Sequence, residues 1–269
     1  MKNNVDKRLS MEAFVASLAP GVRIAFGGGG IQRKPMAAAR AIARSGLKDL
    51  DLVSFLGGPE IDLLIGLGRA SRLAFAFVGF DAYGLAPCFR AAREAGTLPI
   101  VEYSEAIMLA AFEAGAKNLP FLPTRFGLGT DIVTTATSPF KTFACPFTGE
   151  TLLGVPALRP DVAVVHVNVA DRQGNAIIHS DAYADSLMVR AARRTVLTAE
   201  QVVDELPVGQ TRRSTFISRL WVQGVIEAPQ GAGMTAMFPD YRFDLPRVLD
   251  YQKKATDRAW LEEMIKEAR

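Results

Sequence analysis

Acids, cations and bare backbone cluster at the ends of apolar runs in this chain. Glu102 and Glu105 bracket the junction between "LPIV" and "AIMLAAF", Glu60 follows "LGGP", and Asp131 follows "GLGT". An acid at the carboxyl edge of a parallel sheet stands where such folds gather ligands. Glu105 also falls in the first turn of a helix opened by Ser104, where the helix dipole favours the charged carboxylate. A helix-terminal acid is therefore its plain alternative, and the other junction acids share it.

The stretch "GGGGIQRKP" follows the apolar "VRIAF". Glycines let the backbone turn sharply and let another group approach, while Arg33 and Lys34 bring cations to a helix start. Dinucleotide spacing fails, because the sixth position is Gln32 counted from Gly27 and Arg33 counted from Gly28. A Walker loop fails at Pro35, which follows Lys34. Close approach of an anionic group survives as an expectation, beside a tight turn with two solvated cations.

Other chemistries find little support. His166 and His179 lie on or just after apolar runs, with no His or Cys at metal-ligand spacing, so packing or hydrogen bonding is their ordinary role. No G-x-S-x-G elbow offers a serine nucleophile. Cys88 and Cys145 have no paired spacing, which fits two ordinary thiols in a reducing compartment.

The elements that must position these groups alternate between strand and helix, the pattern of a parallel sheet covered by helices. "VRIAF", "LDLVSF", "RLAFAFVGF" and "LPIVEY" read as strands. "PMAAARAIARSG", "PEIDLLIGLG", "APCFRAAREAG" and "SEAIMLAAFEAGA" read as the helices between and after them. Residues 117–160, rich in proline and threonine, predict an irregular excursion with short strands, of the kind that is usually functional. "DVAVVHVNVAD" is a buried strand, "ADSLMVRAARR" a helix and "TVLTAEQVV" a strand. "LPRVLDYQKKATDRAWLEEMIKEAR" predicts one C-terminal helix. An amphipathic helix near the N-terminus puts Met11, Phe14, Val15 and Leu18 on one face. No flexible linker is evident, so residues 1–269 are expected to form a single domain.

With 269 residues and 49% hydrophobic composition the chain can bury a large core. Its net charge of +3, from 31 basic and 28 acidic residues spread through the chain, marks no nucleic-acid or membrane face and leaves small anions open as ligands. No uninterrupted apolar run is long enough to span a bilayer, and a cytoplasmic location is expected.

Taken in order, four segments resemble the α subunit of family I coenzyme A transferases, of the glutaconate CoA-transferase type. They are "RIAFGGGGIQRKPMAAARAIARSGLKDLDLVSFLGGPEIDLLIGLG", "EYSEAIMLAAFEAGAKNLPFLPTRFGLGTD", "CPFTGETLLGVPALRPDVAVVHVNVADRQGNA" and "DSLMVRAARRTVLTAEQVV". The resemblance runs from about Leu18 to Val203 and is less marked in the C-terminal stretch. It implies an open α/β fold, a mostly parallel sheet with helices on both faces, and a β subunit of similar fold in an α2β2 assembly. It also implies transfer of CoA between a thioester and a free carboxylate through a glutamate of the β subunit. The coenzyme A thioester is then the substrate, with no bound cofactor and no metal.

On that resemblance Gly28, Gly29 and Gly30 bring backbone close to the acyl-CoA, with Arg33 and Lys34 facing negative charge. "PFLPTR" and "GLGTD" line the acyl side, with Arg125 as partner for a substrate carboxylate and Gly129 beside it. One position departs: transferase α subunits commonly carry Tyr-Ser-Asn where this chain has Tyr103, Ser104 and Glu105. The acid, and "RKPM", are similar to the α subunits of steroid ring-cleaving hydrolases, which open a β-keto acyl-CoA ring with water; there Glu105 is the base. A glutaconyl-type acyl-CoA decarboxylase and a non-catalytic ligand-binding protein of the same fold are the remaining alternatives.

Overall fold

Apolar runs rich in β-branched residues alternate with capped helical segments, and each becomes a separate element. The structure is a computed structural model and describes residues 5–206 and 214–266. Along the chain come α1 (Met11–Ala16), β1 (Arg23–Gly29), α2 (Met36–Ser45), β2 (Leu50–Gly57), α3 (Pro59–Gly66), β3 (Ala70–Val78), α4 (Pro87–Glu94), β4 (Ile100–Glu102) and α5 (Glu105–Ala116). The excursion holds β5 (Phe121–Thr124), β6 (Lys141–Ala144) and β7 (Thr151–Pro156). Next are β8 (Val162–Asp171), β9 (Ala176–Ile178), α6 (Asp185–Ala191), β10 (Arg194–Val203), β11 (Thr215–Ile217) and β12 (Gly224–Glu227). Two helices close the described chain, α7 (Leu245–Lys254) and α8 (Arg258–Met264).

Seven strands lie parallel in the order β12-β10-β8-β1-β2-β3-β4. β9 pairs antiparallel with the far end of β8, and β11 with β9. Buried on both faces, β8 reads as an almost unbroken apolar run because neither face meets water. Val162 and Val164 join a core with residues of α1 to α4, α7 and α8. Ala163, Val165 and Val167 join the opposite core, with α5, α6 and the inner face of a small antiparallel sheet ordered β5-β7-β6. The excursion is thus a second layer over α5.

Local signals set the helix limits. The Ser104 hydroxyl accepts the Ile107 amide at 3.3 Å and opens α5. Gly46, in a left-handed conformation, ends α2. At the C-terminus the single helix expected is two. The Asp257 carboxylate accepts the amides of Ala259 and Trp260, which caps a new helix and breaks the run at residues 255–257. The last three residues of that expected helix, 267–269, lie outside the described residues.

α7 is joined to α3 and α4 by a buried acid. Asp62 accepts the Phe89 amide at 2.7 Å and the Tyr251 hydroxyl at 3.0 Å. Burial pushes its carboxyl up to about 6 against these hydrogen bonds. The folded pKa exceeds the unfolded one, so this group's contribution is fully present below about 3.9 and is lost as pH rises through about 6. Asp62→Asn, which keeps an acceptor for Phe89, should flatten the fall in urea midpoint between about pH 4 and 6. An unchanged pH slope would show that Asp62 is not the titrating group.

Candidate active site

Parallel strands deliver their carboxyl ends to one edge, and β1 delivers its glycine run there. Gly28 and Gly30 have φ of +75° and +54°, a region closed to most side chains, and they turn the chain back toward α2. The missing side chains are also replaced by other parts of this chain. A Cβ on Gly27 would lie 2.7 Å from Asp185 Oδ1, and one on Gly29 would lie 2.7 Å from Cζ of Tyr183. On Gly30 it would collide with the Asp81 carboxylate, and on Gly58 with the Gly30 carbonyl oxygen. The Gly28 amide donates to Asp185 Oδ1 at 3.0 Å and the Ile31 amide to Asp81 Oδ2 at 3.3 Å. Close approach does explain the glycines, and within this chain the approaching groups are its own.

Arg33 and Lys34 require a correction. Neither is a solvated cation and neither turns its charge outward, because both side chains are 0% exposed. Arg33 donates through Nη1 to Asp185 Oδ2 at 2.9 Å and to the His166 carbonyl, and through Nε and Nη2 to the Asp181 carbonyl. Lys34 Nζ meets Glu60 Oε1 at 2.9 Å and donates to the carbonyls of Gly27 and Leu56. Buried charge is retained only when paired and hydrogen-bonded, and here the pairs tie β1, β2, α3 and α6 together below the glycine run. Burial pushes the Glu60 carboxyl up, while the Lys34 ammonium and the Gly58 amide pull it back. Residues 231–236 close the underside: Arg33 N donates to the Ala236 carbonyl, Ala236 N to that of Ile31, and Lys34 N to Thr235 Oγ1.

Glu105 is the first residue of α5, at the end of β4, and is exposed. Among the described residues its side chain forms no hydrogen bond or ion pair. Three strand spacings, about 14 Å, separate β4 from β1, so the sheet sets Glu105 and the glycine run on the same edge but apart. The loop carrying Arg125 and Gly129 stands nearer to Glu105, since Gly127 packs against Ile107 Cδ1 in the first turn of α5. Arg125 is exposed and already engaged, with Nε and Nη2 gripping the Glu150 carboxylate at 2.7–2.9 Å. Gly129, φ +77°, is exposed with open space around it.

This edge, with its fold, matches one family over most of its length: residues 8–218 fit the family described as Coenzyme A transferase. The chain belongs to the coenzyme A transferase family. It is 37% identical to the cholesterol ring-cleaving hydrolase IpdA subunit of Rhodococcus jostii, over 97% of this chain and 91% of that protein. The crystal structure of glutaconate coenzyme A-transferase from Acidaminococcus fermentans superposes with a TM-score of 0.90 at 27% identity, covering 97% of this chain and 87% of that one. The crystal structure of a variant of the decarboxylase AibA/AibB superposes with a TM-score of 0.87 at 30% identity, covering 97% of this chain and 98% of that one.

In this coenzyme A transferase chain, sequence reasoning missed Asp81, Asp181, Tyr183 and Asp185. Asp81 follows "FVGF" past the end of β3, and the others lie in "SDAYAD", which runs from just past the end of β9 to Asp185, the first residue of α6. The rule that singled out Glu105 applies equally to Asp81, which follows the parallel strand β3, but does not reach the other three, which follow the antiparallel β9. The two histidines have ordinary partners. His166, buried in β8, pairs through Nε2 with Glu200 at 2.7 Å and through Nδ1 with Thr198 Oγ1. Burial raises the Glu200 carboxyl, but hydrogen bonds from His166 and Tyr241 prevail and hold it below the usual range. His179 is exposed and meets Ser214 Oγ at 2.9 Å.

Proposed function

We propose that residues 1–269 act as one domain, the α subunit of a heteromeric cytoplasmic enzyme on acyl-CoA thioesters, which moves coenzyme A from an acyl-CoA to a free carboxylate. A β subunit of similar fold, in an α2β2 assembly, supplies the nucleophile. Its glutamate carboxylate attacks the thioester carbonyl, giving an acyl-glutamyl anhydride and CoA thiolate. The thiolate attacks the glutamyl carbonyl and releases the acyl group as its carboxylate. The enzyme-bound thioester then passes CoA to the second acid by the reverse steps. This reading stands on the backbone likeness to glutaconate coenzyme A-transferase along nearly the whole chain. Gly28, Gly29 and Gly30 shape the acyl-CoA side of the edge from below. Arg33 and Lys34 support that floor, and the Arg125 and Gly129 loop borders the acyl group, with Arg125 exchanging Glu150 for a substrate carboxylate.

One observation favours a second reaction. The Glu105 carboxylate, unpartnered among the described residues and exposed at a strand end, suits a base that activates water to open a β-keto acyl-CoA ring, and a ring-cleaving hydrolase chain is a relative. Borohydride trapping separates the two. The complex is incubated with acyl-CoA, reduced and digested, and searched by mass for a glutamate converted to its alcohol. A modified β-subunit glutamate is expected for transfer. Consumption of acyl-CoA with no modified glutamate would overturn transfer in favour of water chemistry.

A further inference from the structure

Three residues other than glycine with φ near +50° converge on the glycine run: Arg33 (52°), Asp81 (52°) and Tyr183 (48°). A left-handed conformation is strained for bulky side chains and persists only where the surroundings enforce it. Tyr183 is enforced from several sides. Its amide donates to Asp181 Oδ1 at 2.9 Å, and the Asp181 carbonyl is fixed by the Arg33 guanidinium. The same guanidinium lies 5.8 Å from the centre of the Tyr183 ring. The ring covers Gly29 with its hydroxyl end, since Cζ is the atom closest to where a Cβ would stand. Yet the half-buried phenol itself has no hydrogen-bond partner among the described residues. Much of the local framework therefore holds a free O–H at the carboxyl end of β1.

We propose that the Tyr183 phenol is a substrate-contacting hydrogen-bond donor of this edge, and that it takes a neutral carbonyl oxygen of the acyl group of an acyl-CoA. The inference rests on the acyl-CoA reading above. The ligand chemistry follows from the neighbours. Asp81 presses on Gly30 from the other side, and the Arg33 charge is neutralised by Asp185, so a carboxylate would meet net repulsion where a carbonyl would not. Burial and the nearby Asp181 keep the phenol protonated, as a donor must be.

Calorimetric titration of the purified α–β complex with glutaconyl-CoA and with free coenzyme A tests this. Tyr183→Phe keeps the ring over Gly29, and its melting temperature should match the wild type. It should bind glutaconyl-CoA about tenfold more weakly, the value of one hydrogen bond, and free coenzyme A unchanged within about twofold. Equal thioester affinity in the two proteins would overturn the inference while leaving the acyl-CoA reading standing. Equal weakening for both ligands would overturn it too, by moving the contact off the acyl group. A wild-type complex that binds neither glutaconyl-CoA nor free coenzyme A would sink the acyl-CoA reading and the inference with it.

Discussion

Replacing Lys34 with methionine should cost about 3–5 kcal/mol of folding stability, because it leaves the Glu60 carboxylate buried without its ammonium. Both side chains are wholly buried, and Lys34 uses its three donors on Glu60, Gly27 and Leu56. The substitution also frees two carbonyls at the carboxyl ends of β1 and β2, where the glycine run turns. Its pH dependence has a definite sign. Burial already raises the Glu60 carboxyl, and without the lysine it rises further. A raised acid weakens the fold as pH climbs through its folded value, so the deficit should be larger at about pH 8 than at about pH 5. Urea denaturation at the two pH values measures it. The double variant Lys34→Met/Glu60→Leu should regain much of the loss, since an apolar pair replaces a buried ion pair at little cost. A deficit below about 1 kcal/mol, as for exposed pairs, would show that water reaches the site.

If the α–β complex runs the water-activating reaction, Glu105→Gln should lower its turnover by about 10²–10⁴-fold, the usual contribution of a positioned general base. Acyl-CoA affinity and assembly should be retained. Glutamine has nearly the same shape, and Glu105 forms no hydrogen bond or ion pair among the described residues that the change would break. The helix should lose only about a few tenths of a kcal/mol from the missing charge at its N-terminus. Steady-state kinetics should place the loss in kcat rather than KM. Normal turnover, together with a trapped β-subunit glutamate, would make Glu105 a helix-terminal acid beside a transferase site.

The two experiments probe opposite ends of one edge. The buried pairs under β1 fix the floor on which Tyr183 and Asp81 sit, and α5 presents Glu105 about three strands away.

Much of this architecture is legible in the one-dimensional pattern. Strand and helix alternate along the chain as the apolar periodicity says, and Ser104, Pro35 and Gly46 mark helix limits because capping acts over three or four residues. The ordered motifs also pointed to the coenzyme A transferase family, as the match over residues 8–218 shows. Where the pattern misled, a local signal was overlooked or the deciding partner was distant. The break between α7 and α8 was written in Asp257 but masked by the helical composition around it. Arg33 and Lys34 looked like surface cations because nothing adjacent reveals that Asp185, 152 residues beyond Arg33, reaches back to pair with it. The sequence by itself determined most of the elements, their order and the acid at the head of α5, since these follow from contacts within a turn or a strand. Only the tertiary structure decided which charges are buried, what fills the space above each glycine and that the Tyr183 phenol is left without a partner among the described residues. Those outcomes depend on which distant segments the parallel sheet brings side by side.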